Sequence, residues 1–384
     1  MKSETSVLHN PSQAQSLAEL PKGLSRRFVL AAAGASALSA CAPMQTAQPL
    51  AAQSGLNELA LASLRTTQGM SSSLSPAPKS ASMGVWFERA PLPVPRTEMS
   101  FVAVWDNKMY AVGGYDYRGG FAGTWNHRFD LTTNQWTILA PVPKGGNHMG
   151  LVALDGALYT FGGFTNQNNT PFDECFKYDI AKNEWSPIAK LPAKLGAISC
   201  VVVRGKIHLL GGRDMVSIGQ HLVYDPKTDK YETKTPIPGA RDHHAVVAVD
   251  DFIHVIGGRF NTFEFNTATH LVYSPNTNAW KERAPMPTTR SGHGAVYYRG
   301  RIVCIGGEGV VVYSQVESYD PRTNTWESHT PMATPRHGVG AAVLGDAIYV
   351  AGGGPVVGGS LLTATHEAFT MDTGLPARMG AKAL

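Results

Sequence analysis

Six Gly-Gly pairs, at 113/114, 162/163, 211/212, 257/258, 306/307 and 352/353, divide most of this chain into copies of one unit. Successive pairs are 49, 49, 46, 49 and 46 residues apart. A unit of this length buries its apolar faces only against neighbouring copies. Seven residues before each pair stands a two-residue turn: Asp106-Asn107, Asp155-Gly156, Arg204-Gly205, Asp250-Asp251, Arg299-Gly300 and Gly345-Asp346. Turns of this composition close β-hairpins. The runs that flank them, such as Cys200 to Val203 and Ile207 to Leu210, are apolar in the manner of strands covered on both faces. Beyond five of the pairs comes an aromatic residue and, seven positions on, a second: Phe129/Trp136, Tyr178/Trp185, Tyr224/Tyr231, Tyr273/Trp280 and Tyr319/Trp326. Turn formers such as Pro321-Arg322-Thr323-Asn324 lie between them. Each copy therefore reads as four strands. The Gly pair ends the second strand, where a side chain would collide with a neighbour. The outer aromatics fill the widening wedge between radially arranged sheets.

The sixth copy has Gly352-Gly353 and Phe369, but Pro376 stands where its second aromatic would fall. The missing strand is expected at Val85-Trp86-Phe87, because Pro93 follows Trp86 at the same interval as Pro143 follows Trp136 and Pro287 follows Trp280. Closing a ring in this way removes exposed sheet edges. The expected fold class is all-β, a six-bladed β-propeller over residues 84–371 whose last blade is closed by an N-terminal strand. The content of 40 Gly and 25 Pro suits many short strands and tight turns. The Gly-Gly pair, the Tyr-Asp step and the spaced Trp resemble kelch repeats of the galactose oxidase/kelch-like superfamily, over 288 of the 384 residues. Kelch propellers serve as binding modules, scaffolds and enzymes, so the resemblance constrains fold far more tightly than function.

Residues 1–40 read as an export signal. Arg26-Arg27 precedes Phe28-Val29-Leu30 and the small-residue run Ala31 to Ala40, which is too short for a permanent membrane helix. The Arg pair resembles a twin-arginine signal. Leu38-Ser39-Ala40-Cys41 resembles a bacterial lipobox, which implies acylation of Cys41. Ala42 in place of Asp implies an outer-membrane destination, on the periplasmic side of a Gram-negative envelope. Residues 41–83, rich in Ala, Ser, Gln and Thr, read as a flexible tether, and 372–384 as a tail. Membrane contact is expected through the lipid alone, and the protein is expected to be a monomer. Cys175, Cys200 and Cys304 match no metal spacing and are expected to be buried thiols.

Of the net charge of +4, part lies before Cys41; beyond it, 29 basic residues face 27 acidic ones. That balance excludes the concentrated positive face of a nucleic-acid binder.

In a kelch ring one mouth is lined by the loops that lead into each first strand and those that follow each Gly-Gly. Here the leading loops carry Arg96, Lys144, Lys194, Arg241, Arg290 and Arg336, and Arg213 and Arg259 follow Gly pairs. His148, His243, His244, His293 and His337 lie in the same leading segments, and Glu308 is the one acid directly after a Gly pair. Arg grips carboxylates through two parallel hydrogen bonds. As a set, these residues suggest a cationic funnel for an anionic glycan, a sugar acid or an envelope protein. Singly, each Arg is explained as well by bonds to loop carbonyls or to acids of the next blade. His243 and His244, taken as consecutive strand residues, point to opposite faces and cannot share an ion. His244 and His293 occupy one repeat position without a carboxylate or Cys among the equivalent residues. No metal and no cofactor are therefore expected; no spacing points to the Tyr, His and Cys set of kelch-like copper radical oxidases. Nucleophile elbows, phosphate loops and paired-Cys motifs are absent. Two functions follow as expectations. One is a lipid-anchored binding module with its ligand at the basic mouth. The other is a sugar-acid epimerase or mutarotase, resembling the kelch N-acetylneuraminate epimerases, with Glu308, His244 and His293 as acid and base and Arg290 or Arg241 on the carboxylate.

Overall fold

In the computed structural model, which describes residues 84–98, 102–116 and 122–371, the repeats form six antiparallel four-stranded sheets. The signal segment, Cys41, the tether and the C-terminal tail lie outside the described residues. Strand β1 (Val85–Glu88) precedes the first blade, which holds β2 (Ala103–Trp105), β3 (Lys108–Val112), β4 (Asn126–Asp130) and β5 (Gln135–Ile138). The second blade holds β6 (Gly150–Leu154), β7 (Ala157–Asn166), β8 (Asn169–Asp179) and β9 (Glu184–Ile188). The third holds β10 (Ser199–Val203), β11 (Lys206–Leu210), β12 (His221–Asp225) and β13 (Lys230–Thr233). The fourth holds β14 (Ala245–Val249), β15 (Phe252–Ile256), β16 (His270–Ser274) and β17 (Ala279–Arg283), and the fifth β18 (Gly294–Tyr298), β19 (Arg301–Ile305), β20 (Val316–Asp320) and β21 (Thr325–Ser328). The sixth is built from β22 (Gly340–Leu344), β23 (Ala347–Ala351), β24 (His366–Thr370) and β1, with Trp86 opposite Phe369. The first strand of each blade touches the first strands of both neighbours, β2 meeting β22.

Two repeated junctions explain the spacing of the sequence. The second Gly of each pair donates its N–H to a carbonyl in the next blade's leading loop: Gly114 to Gly146, Gly163 to Leu195, Gly212 to Arg241, Gly258 to Arg290, Gly307 to Arg336 and Gly353 to Arg96, all within 2.8–3.1 Å. The first Gly passes the same carbonyl closely. At Gly257, φ is +62°, and a Cβ would lie 2.7 Å from the Arg290 oxygen. Conformation and space both exclude a side chain there.

The second junction is aromatic. The five couples noted above, and Trp86 with Phe369, stand opposite each other on the two outer strands, their ring centroids 4.9–5.3 Å apart. The outer member hooks the preceding blade: Trp136 Nε1 donates to Ala90 O at 2.8 Å, Trp185 to Ala140 at 2.9 Å, Trp280 to Thr235 at 3.0 Å, Trp326 to Ala284 at 2.9 Å and Trp86 to Thr330 at 3.1 Å. Tyr231 does the same with its hydroxyl, to Ala189 O at 2.8 Å. A large apolar ring with one polar handle suits a wedge that opens to water. Cys175, Cys200 and Cys304 are free and buried. One blade departs from the pattern: β7 runs through its Gly pair to Asn166, with an irregularity between Phe161 and Gly163, so the second hairpin extends past its neighbours.

Candidate functional site

Aligning the leading loops on the Gly pairs assembles the site. Fourteen residues before the pair stand His148, Ala197, His243, Gly292 and Gly338, all at positive φ between +52° and +62°. In the first blade the matching residue is Glu98, at φ +47° and one position further from its pair, because that loop has one extra residue. All six line a single cavity of about 40 Å³ at the convergence of the blades, room for water but not for a sugar. The residue before each forms a β-bridge with the residue just after the same blade's Gly pair: Thr97 with Tyr115, Asn147 with Phe164, Gly196 with Arg213, Asp242 with Arg259, Ser291 with Glu308 and His337 with Gly354.

These two rings bring together a buried polar network. Glu98 lies between His148, whose Nε2 is 3.0 Å from Oε2, and His337, whose Nε2 is 3.1 Å from Oε1. His337 Nε2 is also 3.4 Å from Glu308 Oε2. Arg259 donates from Nη1 to Glu308 Oε1 at 2.7 Å, from Nη2 to His243 Nε2 at 2.9 Å and from Nε to Asp242 Oδ1 at 3.3 Å. Asp242 also accepts from His243 Nδ1 and from Ser217 Oγ. None of these residues is more than 7% exposed. Burial pushes the Glu98 carboxyl up, but His148 and His337 outweigh it and hold the group well below the usual range. Asp242 is likewise held low, burial being outweighed by His243, Arg259 and Ser217. Burial alone would lower His337, yet Glu98 and Glu308 raise it. His243 is pushed down to about 4 by burial and by Arg259.

A strap formed by the loop after the last Gly pair, with a 3₁₀ turn at Val357–Gly359, reaches across this network. Gly358 N–H donates to Glu308 Oε2 at 3.0 Å, Tyr115 Oη donates to Gly359 O at 3.1 Å, and Gln167 Nε2 donates to Gly358 O. The strap thus touches blades one, two and five from its root in blade six.

The expected cationic funnel is not what the arginines build. Arg96, Arg290 and Arg336 are fully buried, and Arg241 is 5% exposed. Arg96 bonds His127 Nδ1 and Ala111 O, both at 3.0 Å; Arg290 bonds Glu317 at 2.7 Å; Arg336 bonds Glu367 and, at 2.6 Å, Gly352 O. Arg241 donates to Pro238, Gly239 and Gly257 carbonyls at 3.1–3.3 Å. Each guanidinium is held by carbonyls and side chains of its own repeat, which offsets the cost of burying it, while the Nε atoms of Arg96, Arg290 and Arg336 have no hydrogen-bond partner among the described residues. Lys144 pairs with Glu174 at 2.9 Å over the Phe172 ring, and Arg213 donates to Asn261 O at 3.0 Å. Of the proposed arginines and lysines only Arg259 enters the network, together with His148, His243, His337 and Glu308 of the same set.

His243 and His244 do not lie on a strand; both precede β14, and the positive φ of His243 turns it into the network. His244 packs beside Gly211 and His293 beside Gly257 in the blades before them. Neither makes a hydrogen bond through a ring nitrogen. Burial pushes His244 down to about 3 and His293 well below its ordinary value. His293 lines the cavity and His244 does not. Glu98, Asp242 and Tyr115 escape the sequence reading; the repeat alignment finds them once the extra residue in the first loop is allowed for. Two triads have ligand atoms within 4.8 Å of one another, Glu98/His148/His243 and Glu98/Glu308/His337.

Around the mouth, the loops after the third to sixth Gly pairs expose Met215, Val216, Phe260, Phe265, Val310 and Leu361.

A family model described as the KLHDC2/KLHL20/DRC7 Kelch-repeats domain matches residues 83–258 and again 148–353. The solved structure of YjhT has a TM-score of 0.63 to this chain at 18% identity, covering 73% of this chain and 97% of that one, a likeness of fold. No curated protein matches the chain.

Proposed function

The chain belongs to the kelch-repeat family, and within that fold we propose an exported isomerase that binds a small sugar beneath the strap and exchanges its anomers. The observation that carries this reading is the Glu308–His337 contact, 3.4 Å, buried at the mouth with Arg259 behind the carboxylate. Anomer exchange needs one group to take the proton of the anomeric hydroxyl and another to protonate the ring oxygen. Glu308 takes the first proton, and His337 Nε2–H supplies the second. The ring C–O bond breaks to give the open carbonyl form, which recloses on the other face with both protons returned. Arg259 fixes the Glu308 carboxylate, whose other oxygen accepts from the Gly358 amide until the strap lifts. The cavity of about 40 Å³ beside this pair is too small for a sugar, so a sugar enters over Glu308 and His337 when the strap lifts from Tyr115, Gln167 and Glu308. Glu98, Asp242 and Glu308 outnumber the single guanidinium in the network, which favours an uncharged sugar over the sugar acid suggested by the sequence. NMR of anomer exchange, across neutral and acidic sugars, tests this. Exchange should accelerate with the wild-type chain and lose its acceleration with Glu308→Gln; an unaccelerated rate for every sugar removes the proposal.

A second reading, a binding module, is favoured by one observation: the exposed apolar side chains of four successive mouth loops. They suit a protein partner better than an anionic glycan. Chemical cross-linking of the chain through its surface lysines in envelope extracts tests it; a pattern unchanged when Phe265 and Val310 are both replaced by Ser would remove this reading. Export and lipid attachment at Cys41 remain part of the proposal, supported by the sequence pattern at residues 26–41.

A further inference from the structure

Three histidines of the mouth each have Nδ1 committed to an acceptor. His148 Nδ1 faces Asn147 Oδ1 at 2.6 Å, His337 Nδ1 faces Gly354 O at 3.0 Å, and His243 Nδ1 is bonded to Asp242. An acceptor held at Nδ1 places the proton there and leaves Nε2 with a lone pair. The Nε2 atoms of His148 and His337 nevertheless both face Glu98, at 3.0 and 3.1 Å. A lone pair directed at a carboxylate oxygen at that distance is repulsive unless a cation lies between them.

The cation need not be the same on the two sides. His337 sits between two carboxylates, Glu98 and Glu308. A proton on Nε2 satisfies both, as the acid role above requires. His148 has a single carboxylate and a second imidazole beside it, the His148 and His243 rings being 4.7 Å apart between centroids. Nitrogen from two imidazoles and oxygen from one carboxylate is the donor set that zinc and its first-row neighbours favour.

We infer that Glu98, His148 and His243 form a site for one divalent transition-metal ion of the zinc class. Their ligand atoms already lie within 4.8 Å of one another and all three residues are buried, while tetrahedral ligands about 2.0–2.1 Å from zinc stand roughly 3.3 Å apart. Asn147 and Asp242 are the outer supports that orient the two imidazoles, the arrangement that zinc histidines ordinarily have. The His243 lone pair is held by Arg259 Nη2 at 2.9 Å; an ion takes that lone pair, and Arg259 keeps its bonds to Glu308 and Asp242. Three protein ligands leave a coordination position open toward the cavity, where water or a sugar hydroxyl fits. This site stands without the sugar reading, because the ion is detected directly.

The test uses the full chain, stripped with chelator and titrated with Zn²⁺ by calorimetry and with Co²⁺ by visible absorption. One equivalent of either ion should bind, with a Co²⁺ d–d spectrum that Zn²⁺ abolishes. His148→Ala should eliminate the spectrum, and Asn147→Ala, which spares every ligand, should weaken affinity about 10–100-fold. If His148→Ala does not fold, wild-type stoichiometry and Asn147→Ala decide alone. A folded chain that binds no ion, or binds it unchanged in both variants, overturns the site. Anomer exchange is read on the stripped and the loaded chain, so failure of the isomerase leaves the metal result intact and the reverse also holds.

Discussion

Lowering the pH below 6.5 should unfold this propeller far more readily than its carboxylates would suggest. His208 with His221, and His254 with His270, form ring-to-ring bonds of 2.8 Å inside the third and fourth blades, and His366 holds Ala90 O at 2.9 Å. Burial pushes His208 and His254 down to about 4, and His221, His270 and His366 down to about 3. The charged groups facing them are mostly cations: Lys206 and Lys234, with Glu232, at the first pair, Arg283 at the second, and Arg336 and Arg89 at His366. A folded pKa below the unfolded value near 6.5 means that the fold favours the neutral ring. Its contribution is complete above pH 6.5 and disappears as pH falls from there toward 3–4.

Each such ring loses about 1.4 kcal/mol per pH unit below 6.5. Five rings at pH 5.5 therefore sacrifice about 7 kcal/mol, or about 4 if each ring pair holds one proton between its nitrogens. Total stability of a domain is about 5–15 kcal/mol, so the effect is decisive. Glu98 and Asp242, held low, keep their contribution through this window, and His337, shifted the other way, loses its share only as pH rises. Urea unfolding followed by Trp fluorescence at half-unit steps from pH 8 to 4.5 measures the slope. Stability should be level above pH 7, then fall steeply, and His254→Gln combined with His270→Asn should flatten the fall. A midpoint unchanged between pH 7.5 and 5.5 would refute the reasoning.

Gly257→Ala meets both a positive φ and the Arg290 carbonyl and should cost more than about 2 kcal/mol, while Gly300→Ala, with nothing within 4 Å of its Cβ, should cost about 1, both read from urea midpoints. Arg290→Ala leaves Glu317 buried without its cation and should lower stability by about 3–5 kcal/mol, with Glu317→Gln restoring part of it. Tyr115→Phe removes a bond to the strap and should speed hydrogen exchange at residues 356–361 severalfold without changing the thermal midpoint by more than a few degrees. Cys41→Ser should move the protein from the membrane fraction to the soluble one; retention in the membrane would eliminate acylation as the anchor.

The fold was legible because each blade repeats the same two junctions, and a repeated constraint leaves a repeated mark. Gly-Gly survives at every junction because a side chain would strike the next blade's carbonyl, and the outer aromatic recurs because every wedge needs a large ring with a polar handle. The site carries no such mark. Arg213 and Arg259 both follow a Gly pair and both form the same β-bridge, yet they end in different surroundings. Across its bridge Arg259 meets Asp242, and Arg213 meets Gly196. One guanidinium is therefore drawn into a network of acids and the other is left to loop carbonyls. The six bridges hold one charged pair, Asp242 with Arg259 in blade four, and single ionisable partners, Glu308 and His337, in blades five and six, while Glu98 and His148 join them from the positions next to the bridges of blades one and two. Chemistry at the mouth is set by which residue faces which across one bridge, a pairwise property that a count of arginines and histidines per loop does not contain. Exchanging the bridge partners tests that statement in the direction that space allows, because a side chain at Gly196 would strike the Phe164 ring: Asp242→Gly, which gives Arg259 the bridge partner that Arg213 has, should loosen that side chain and raise its exposure to dicarbonyl modification several-fold, and an unchanged modification rate would show that the bridge partner does not decide where the guanidinium goes.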